Sequence, residues 1–151
     1  SELRKTGLLC PLCETHTEFL KENKRLKEKF EAELRKKGYM VENEPNPDII
    51  DLIYSDNDKD TIAYHRETPE FKIYTRFKYR TEKSVGFDTI ERVYFVLNEY
   101  YDDRYGFIIT TTRFSTNAVK TLEKIKHADI TLCNGEEDAI NEIEKKRQEF
   151  I

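Results

Sequence analysis

The sequence lacks several features that would assign it to a common protein class. Tryptophan is absent, methionine occurs once, and the single glutamine is Gln148. No apolar run approaches the ~20 residues that span a membrane, and no signal segment precedes a small-residue cleavage site. There is no P-loop, no Ser-His-Asp order and no dinucleotide-binding glycine signature. These absences predict an intracellular, cytoplasmic protein with no membrane contact and no small-molecule cofactor.

Charged residues, in contrast, are abundant and of both signs. They make up 37% of the 151 residues, yet the net charge is only -4. Many lysines and glutamates with almost no glutamine are typical of the surface ion-pair networks of thermophilic proteins. A slightly acidic chain argues against nonspecific coating of nucleic acid but allows a local basic face.

The chain is long enough for one domain with a real core. A short cysteine-containing segment, 1–17, precedes a single predicted domain, 18–151. Helical periodicity begins at Glu18, and Gly38 stands where a C-cap glycine belongs. The predicted helices are 18–37, a helix from Asp88 as N-cap to about Tyr101, one capped by Ser115, and Glu136–Phe150. The predicted strands are 39–41, 48–54, a short one at 61–66, 71–79, 107–109 and 130–132.

Without the short strand at 61–66, the order of these elements is αβββ followed by αβαβα. Residues 107–109 form a continuous apolar run, as expected for a central strand covered on both faces. Helices and strands that alternate in this way predict an α/β fold with a mixed central sheet flanked by helices.

Basic residues are concentrated in and just after the strand at 71–79. Even-numbered positions of a strand share one face, so the cations from 72 to 80 would project together. Two interpretations remain open, a surface that binds phosphate or an edge strand protected from aggregation by its charges. The cations are Lys72, Arg76, Lys78, Arg80 and Lys83.

Several short motifs occur in an order that resembles one nuclease family. They are Phe30-Glu31, Gly38-Tyr39-Met40-Val41, Ile50-Asp51-Leu52-Ile53, Lys78, Val85-Gly86, Phe107-Ile108-Ile109-Thr110-Thr111, Phe114-Ser115-x-x-Ala118 and Leu132-Cys133-Asn134-Gly135. Each motif is weak alone, but together they cover most of the chain, from Lys29 to Ile143. The order resembles the catalytic core of Mrr-like restriction endonucleases, and implies their restriction-endonuclease-like fold.

The resemblance implies hydrolysis of phosphodiester bonds in DNA with Mg²⁺ or Mn²⁺. Such chemistry needs carboxylates that hold the cation and a lysine near the attacking water. By resemblance, Asp51 is a metal ligand, Lys78 is the lysine, and Glu31 completes the metal shell. The implied biological setting is restriction, repair or recombination.

The chain departs from the family at Arg76, where the pattern has an acidic or amide residue two positions before the lysine. A guanidinium has no acceptor atom and would repel a cation. Glu70 and Lys72 form a second Glu-x-Lys pair that would serve after a change of register, and Glu67 is another candidate carboxylate. Alternatively the protein binds nucleic acid without cutting it, through Arg76, Arg80, Lys83 and Arg113.

Cys10, Cys13 and His16 have the spacing of a zinc knuckle. A closed zinc site needs four ligands, and Cys133, His65 and His127 are the distant candidates for the fourth. Two copies of the segment could instead share one Zn²⁺ across a homodimer, which suits an enzyme that cuts both DNA strands. A local disulfide between the two cysteines, or a pair of free thiols, is also compatible with this spacing.

Two further interpretations complete the sequence-based expectations. Thr110, Thr111 and Thr112 end a predicted strand, where their hydroxyls could contact phosphate or simply reflect strand propensity. The charged helix at 18–37 could instead be the partner surface of a protein-interaction domain.

Overall fold

A computed structural model describes residues 11–42, 60–80, 83–125 and 129–151, with side chains of the first helix described from Lys21 onward. Helices and strands alternate through these ranges in the order αβββαβαβα. The elements are α1 (Pro11–Lys36), β1 (Tyr39–Glu42), β2 (Thr61–His65), β3 (Lys72–Lys78), α2 (Phe87–Tyr100), β4 (Tyr105–Thr110), α3 (Thr116–Lys124), β5 (Ile130–Asn134) and α4 (Glu136–Phe150).

The strands form one mixed sheet whose spatial order, β1-β2-β3-β4-β5, follows the chain. β1, β2 and β3 pair antiparallel, whereas β3, β4 and β5 pair parallel. Parallel neighbours need crossover connections, and α2 and α3 supply them. The predicted α/β fold with a mixed central sheet is therefore confirmed.

Helices cover both faces of the sheet. On one face, Phe30 and Leu34 of α1 pack with Ile73 and Phe107 of the sheet and Ile143 of α4. On the other face, the sheet residues Tyr74 and Ile108 pack against apolar residues of α2, and Ala118 of α3 belongs to the same cluster. β4 is buried from Gly106 to Thr110, which confirms the sequence-based prediction of a central strand covered on both faces.

Two helix boundaries differ from the sequence-based expectation. α1 begins at Pro11 rather than at Glu18, and proline is favoured in the first turn because its missing N–H would be unpaired there. α2 begins at Phe87 with Gly86 as N-cap, so Asp88 is not the cap. Asp88 instead lies in the first helical turn, where a negative charge is favoured by the helix dipole.

Two predicted caps are confirmed by their geometry. Gly38 follows α1 with a φ of 94°, a backbone conformation that glycine adopts without steric cost. A Cβ at this position would lie 3.0 Å from Nε2 of His65. Ser115 caps α3, since its Oγ accepts a hydrogen bond from the Ala118 N–H at 3.0 Å. The predicted strand at 48–54 lies outside the described residues.

Candidate active site at the strand-end edge

At one end of the sheet, β2 begins and β3, β4 and β5 end, and we call this end the strand-end edge. β2 runs antiparallel to β3, so its first residues lie beside the last residues of β3. The residues of this strand-end edge are Asp60, Arg76, Lys78, Thr110 and Asn134. In α/β sheets, the carboxyl ends of parallel strands form the usual binding crevice.

Asp60 and Arg76 form a buried ion pair at this edge. Thr61 faces Thr75 in the antiparallel register, which places Asp60 opposite Arg76. The guanidinium donates from Nε to Oδ1 at 3.0 Å and from Nη2 to Oδ2 at 2.8 Å, so both carboxylate oxygens accept hydrogen bonds. Nη2 also donates to the Tyr74 hydroxyl at 3.2 Å. Only 5% of the Arg76 side chain and 3% of the Asp60 side chain are exposed.

Lys78 lies two residues beyond Arg76, on the same face of the sheet and nearer to solvent. It is the last residue of β3 and is half-buried. Its neighbour in the parallel register is the buried Thr110, which in turn faces Asn134 of β5. The strand-end edge therefore brings a carboxylate, a guanidinium and an ammonium group to one place.

Two of the three consecutive threonines hold the chain that follows Lys78. The Thr111 Oγ1 accepts from the Arg80 N–H at 2.9 Å and donates to the Arg80 carbonyl at 2.6 Å. The Thr112 Oγ1 donates to the Lys83 carbonyl at 2.8 Å. The hydroxyls of these two threonines thus bind backbone, which neither sequence-based interpretation had included.

Helix α1 fixes both strands that carry the site. Oδ1 of Asn23, a residue only 2% exposed, accepts a hydrogen bond from the Tyr79 N–H at 2.9 Å. Oε1 of Glu31 accepts from the Thr61 hydroxyl at 2.8 Å. Asn23 thereby holds the residue after Lys78, and Glu31 holds the residue after Asp60.

The contact made by Asn23 leads to a stability prediction. Asn23→Ala removes the Asn23 acceptor from a partly buried hydrogen bond with the Tyr79 N–H, and the loss of one partner of such a bond costs about 1–3 kcal/mol. We expect a loss of this size in the free energy of unfolding, measured by urea titration. Asn98→Ala, at an exposed position of α2, is the matched control, and a change within about 0.5 kcal/mol is expected there. Equal effects of the two substitutions would contradict the anchoring role.

Glu31 lies on the opposite side of the sheet from the ion pair. Adjacent strand residues point to opposite faces, so the Thr61 hydroxyl and the Asp60 carboxylate diverge. Lys27 and Arg35 flank the Glu31 carboxylate at 3.8 and 3.9 Å. The structure therefore does not bring Glu31 together with Asp60.

Glu70 and Lys72 lie at the other end of β3 from Lys78. Glu70 is exposed and precedes the strand, and the Lys72 Nζ donates to Asp103 at 3.0 Å. Although burial acts in the opposite direction, the Lys72 hydrogen bond and charge lower the pKa of Asp103. Six residues of strand, about 20 Å, separate Lys72 from Lys78, so the two lysines belong to different regions of the surface.

The candidate phosphate-binding cations are divided between the interior and the surface. Arg76 is buried and directed at Asp60 and Tyr74. Arg80 is half-buried, while Lys83 and Arg113 are exposed on the loops that follow β3 and β4. The surface part of this set therefore lies beside Lys78. Glu67, the further candidate carboxylate, lies 3.8 Å from Arg147 of α4.

The predicted zinc knuckle lies largely outside the part of the chain whose side chains are described. Cys10 lies outside the described residues, and Cys13 and His16 belong to α1 without described side chains. Among the distant candidates, Cys133 is fully buried, and burial raises the pKa of its thiol to about 12, with Asp138 and Glu142 adding to the shift. Cys133 therefore packs as a small buried hydrophobe.

His65 is also engaged within the protein. One ring nitrogen lies 3.1 Å from the Lys37 carbonyl, and the other accepts from the Glu67 N–H. His127 lies outside the described residues. Neither of the two described distant candidates, His65 and Cys133, is placed as an accessible fourth ligand.

In proteins, Mg²⁺ is usually held by one or two carboxylates together with water and substrate phosphate. Within the described ranges, no group of three or more His, Cys, Asp or Glu residues could hold a metal ion. Among the described residues, Asp60 is a carboxylate of this strand-end edge, and both of its oxygens accept hydrogen bonds from Arg76. The described residues therefore do not by themselves fit a magnesium site, and Asp51 lies outside them.

No helix in the described part of the chain is long and apolar enough to cross a membrane.

Sequence reasoning missed both Asp60 and Asn23. An acidic residue directly before the short apolar strand at 61–65 was the available signal for Asp60. No signal identified Asn23, because a buried polar residue within a charged helix is recognised only from its partner.

Comparisons with solved structures and with curated proteins give only distant similarity. Among solved structures, EndoMS in its apo form is 10% identical, with a TM-score of 0.39, and covers 64% of this chain. A repair endonuclease from Pyrococcus abyssi is 14% identical, with a TM-score of 0.38, over 65% of this chain. The chain spans 38% and 39% of those two proteins, and no curated protein matches significantly.

The model of the restriction endonuclease family Mrr_cat matches residues 22–138, most of the chain. This match confirms the resemblance drawn from the sequence motifs. The chain therefore belongs to the restriction endonuclease family.

Proposed function

We propose that this protein is an endonuclease that hydrolyses phosphodiester bonds of DNA, in restriction, repair or recombination, at the strand-end edge. The observation that supports it is the placement of Asp60 and Lys78 on one face of the sheet, where β2 begins and β3 ends. Family membership supplies the class of substrate and reaction.

The chain's own residues account for the binding part of this reaction. The Lys78 ammonium offsets the negative charge of the phosphodiester, which increases in the transition state. Arg80, Lys83 and Arg113 add positive charge along the backbone of the DNA. The threonine contacts to Arg80 and Lys83 fix the loop that carries two of these cations.

A divalent cation such as Mg²⁺ or Mn²⁺ would stabilise the charge of the phosphate and activate water. Because Arg76 occupies the Asp60 carboxylate, further ligands are required, and Asp51 remains the proposed one. A homodimer that cuts both strands, with Zn²⁺ shared by the Cys10, Cys13 and His16 segments, also remains a proposal.

One observation favours a second function, which is DNA binding without hydrolysis. The Asp60–Arg76 ion pair neutralises the carboxylate internally, and Arg76 stands where the family pattern has an acidic or amide residue. In that case the strand-end edge binds the DNA backbone and the reaction does not occur.

Incubation of the pure protein with supercoiled and linear DNA distinguishes the two functions. The reactions contain Mg²⁺, Mn²⁺ or EDTA. Nicked or linear products that disappear in EDTA and in Asp51→Ala would establish the nuclease. Salt-sensitive binding with no products in either metal would establish the binding module. The absence of both binding at low salt and products would contradict both proposals.

A further inference from the structure

We propose that Arg76 and a divalent cation are mutually exclusive occupants of the Asp60 carboxylate. Replacement of Arg76 by an acidic residue would then create a metal site at the strand-end edge. This inference goes beyond the proposed function, because it concerns metal binding in the absence of DNA and holds whether or not the protein cuts.

The contacts of Asp60 support mutual exclusion. Oδ1 accepts from the Arg76 Nε at 3.0 Å, and Oδ2 accepts from the same Nε at 3.2 Å and from Nη2 at 2.8 Å. Mg²⁺ binds carboxylate oxygens at about 2.0–2.1 Å, so the cation and the guanidinium would lie within a few ångströms of each other. Two like charges at that separation repel strongly in a buried site.

The guanidinium is also held so that it does not move aside easily. The pair is almost completely buried, and the Tyr74 hydroxyl accepts a further hydrogen bond from Nη2. Separating the pair would break a buried, charge-assisted pair of hydrogen bonds, which is costly. The metal must therefore displace a well-paired internal cation, rather than enter an open site.

The surrounding geometry is otherwise suited to a metal. Position 76 faces Asp60 across the antiparallel register and lies two residues before Lys78. A glutamate at 76 would give two carboxylates side by side, followed by a lysine at the spacing of the family pattern. In the absence of a cation these carboxylates would repel each other, so metal binding would relieve the repulsion.

Titration with Mn²⁺, followed by the electron paramagnetic resonance of the free ion and by thermal unfolding, tests this inference. The wild-type protein is expected to show no site that depends on Asp60. Arg76→Glu is expected to bind Mn²⁺ at least about tenfold more tightly and to gain thermal stability as Mn²⁺ is added. Asp60→Asn combined with Arg76→Glu should lose that gain, because it removes one of the two carboxylates.

Arg76→Gln introduces an acceptor oxygen without a negative charge, and it serves as the second variant if Arg76→Glu folds only with metal. A smaller increase in Mn²⁺ affinity is expected for it. Tight Mn²⁺ binding by the wild-type protein that Asp60→Asn abolishes would overturn the inference. So would folded Arg76→Glu and Arg76→Gln proteins whose Mn²⁺ affinity equals that of the wild type. Because no DNA is present, these outcomes are independent of the cleavage assay.

Discussion

Replacing Arg76 with methionine is expected to destabilise the protein by about 3–5 kcal/mol, the cost of breaking a buried ion pair by removing one partner. Methionine retains much of the apolar side chain, so the change isolates the loss of the guanidinium. The Asp60 carboxylate, which is 3% exposed in the ion pair, then loses the donors that satisfy both of its oxygens. Since domains of this size are stable by about 5–15 kcal/mol, urea unfolding followed by circular dichroism should detect the loss clearly.

The matched control is the double variant Asp60→Asn with Arg76→Met, which removes the charge of both partners. Replacement of a whole buried pair by well-packed apolar residues is often nearly neutral, and the double variant leaves no charge at these two positions, so much of the lost stability should return. The interaction energy from the double-mutant cycle should reach several kcal/mol with the sign of a stabilising pair. A double variant as unstable as the sum of the two single variants would show that Asp60 and Arg76 contribute independently.

The main elements of the fold could be predicted from local signals. Ser115 and Gly38 were predicted as caps from residue type and position, and both are confirmed. The apolar run at 107–109 predicted a central strand, and β4 is that strand. These features depend on a few adjacent residues, which is why the sequence alone was sufficient.

The pairing at the site could not be predicted in the same way. The position of Asp60 opposite Arg76 depends on the register of β2 against β3, and a shift of one residue would reverse the face of every side chain. In the sequence, Arg76 was visible as a departure from the family pattern but its partner was not. The hydrogen bond from Tyr79 to Asn23 joins residues far apart in the chain, so no local pattern reveals it.

The loop after Lys78 illustrates a second limit of sequence reasoning. The threonines at 110–112 were interpreted as phosphate contacts or as strand formers. Two of their hydroxyls instead bind the backbone of Arg80 and Lys83. Hydroxyl groups satisfy whichever polar group lies within reach, and that group is known only after the two loops are placed side by side.

Replacing Lys78 with alanine is expected to lower the rate of DNA cleavage by about 100-fold or more, the usual cost of removing one charged group that stabilises the transition state. Lys78 ends β3 beside Asp60 and Arg76 at the strand-end edge. The measurement is the initial rate of nicking of supercoiled plasmid in Mn²⁺, with circular dichroism to confirm folding. Lys78→Arg, which keeps the charge but changes its geometry, should retain part of the rate.

Substitutions of two other lysines serve as comparisons for Lys78→Ala. Lys36 lies at the end of α1, has a side chain that is 72% exposed and pairs with Glu33, so Lys36→Ala should cleave at the wild-type rate. Lys72→Ala tests the second Glu-x-Lys pair at the other end of β3. A loss of activity in Lys72→Ala with normal activity in Lys78→Ala would move the site to that end.

If the wild-type protein binds DNA without cutting it, the same substitution still has a measurable effect. Lys78→Ala then removes one phosphate contact, which weakens binding to all sequences and lowers the salt dependence of log K by about one unit. Lys36→Ala should leave both quantities unchanged. If Lys78→Ala keeps the wild-type affinity, salt dependence and cleavage, DNA does not contact the strand-end edge. A half-buried lysine at the end of β3 could not be removed from a phosphate-binding surface without a loss of affinity.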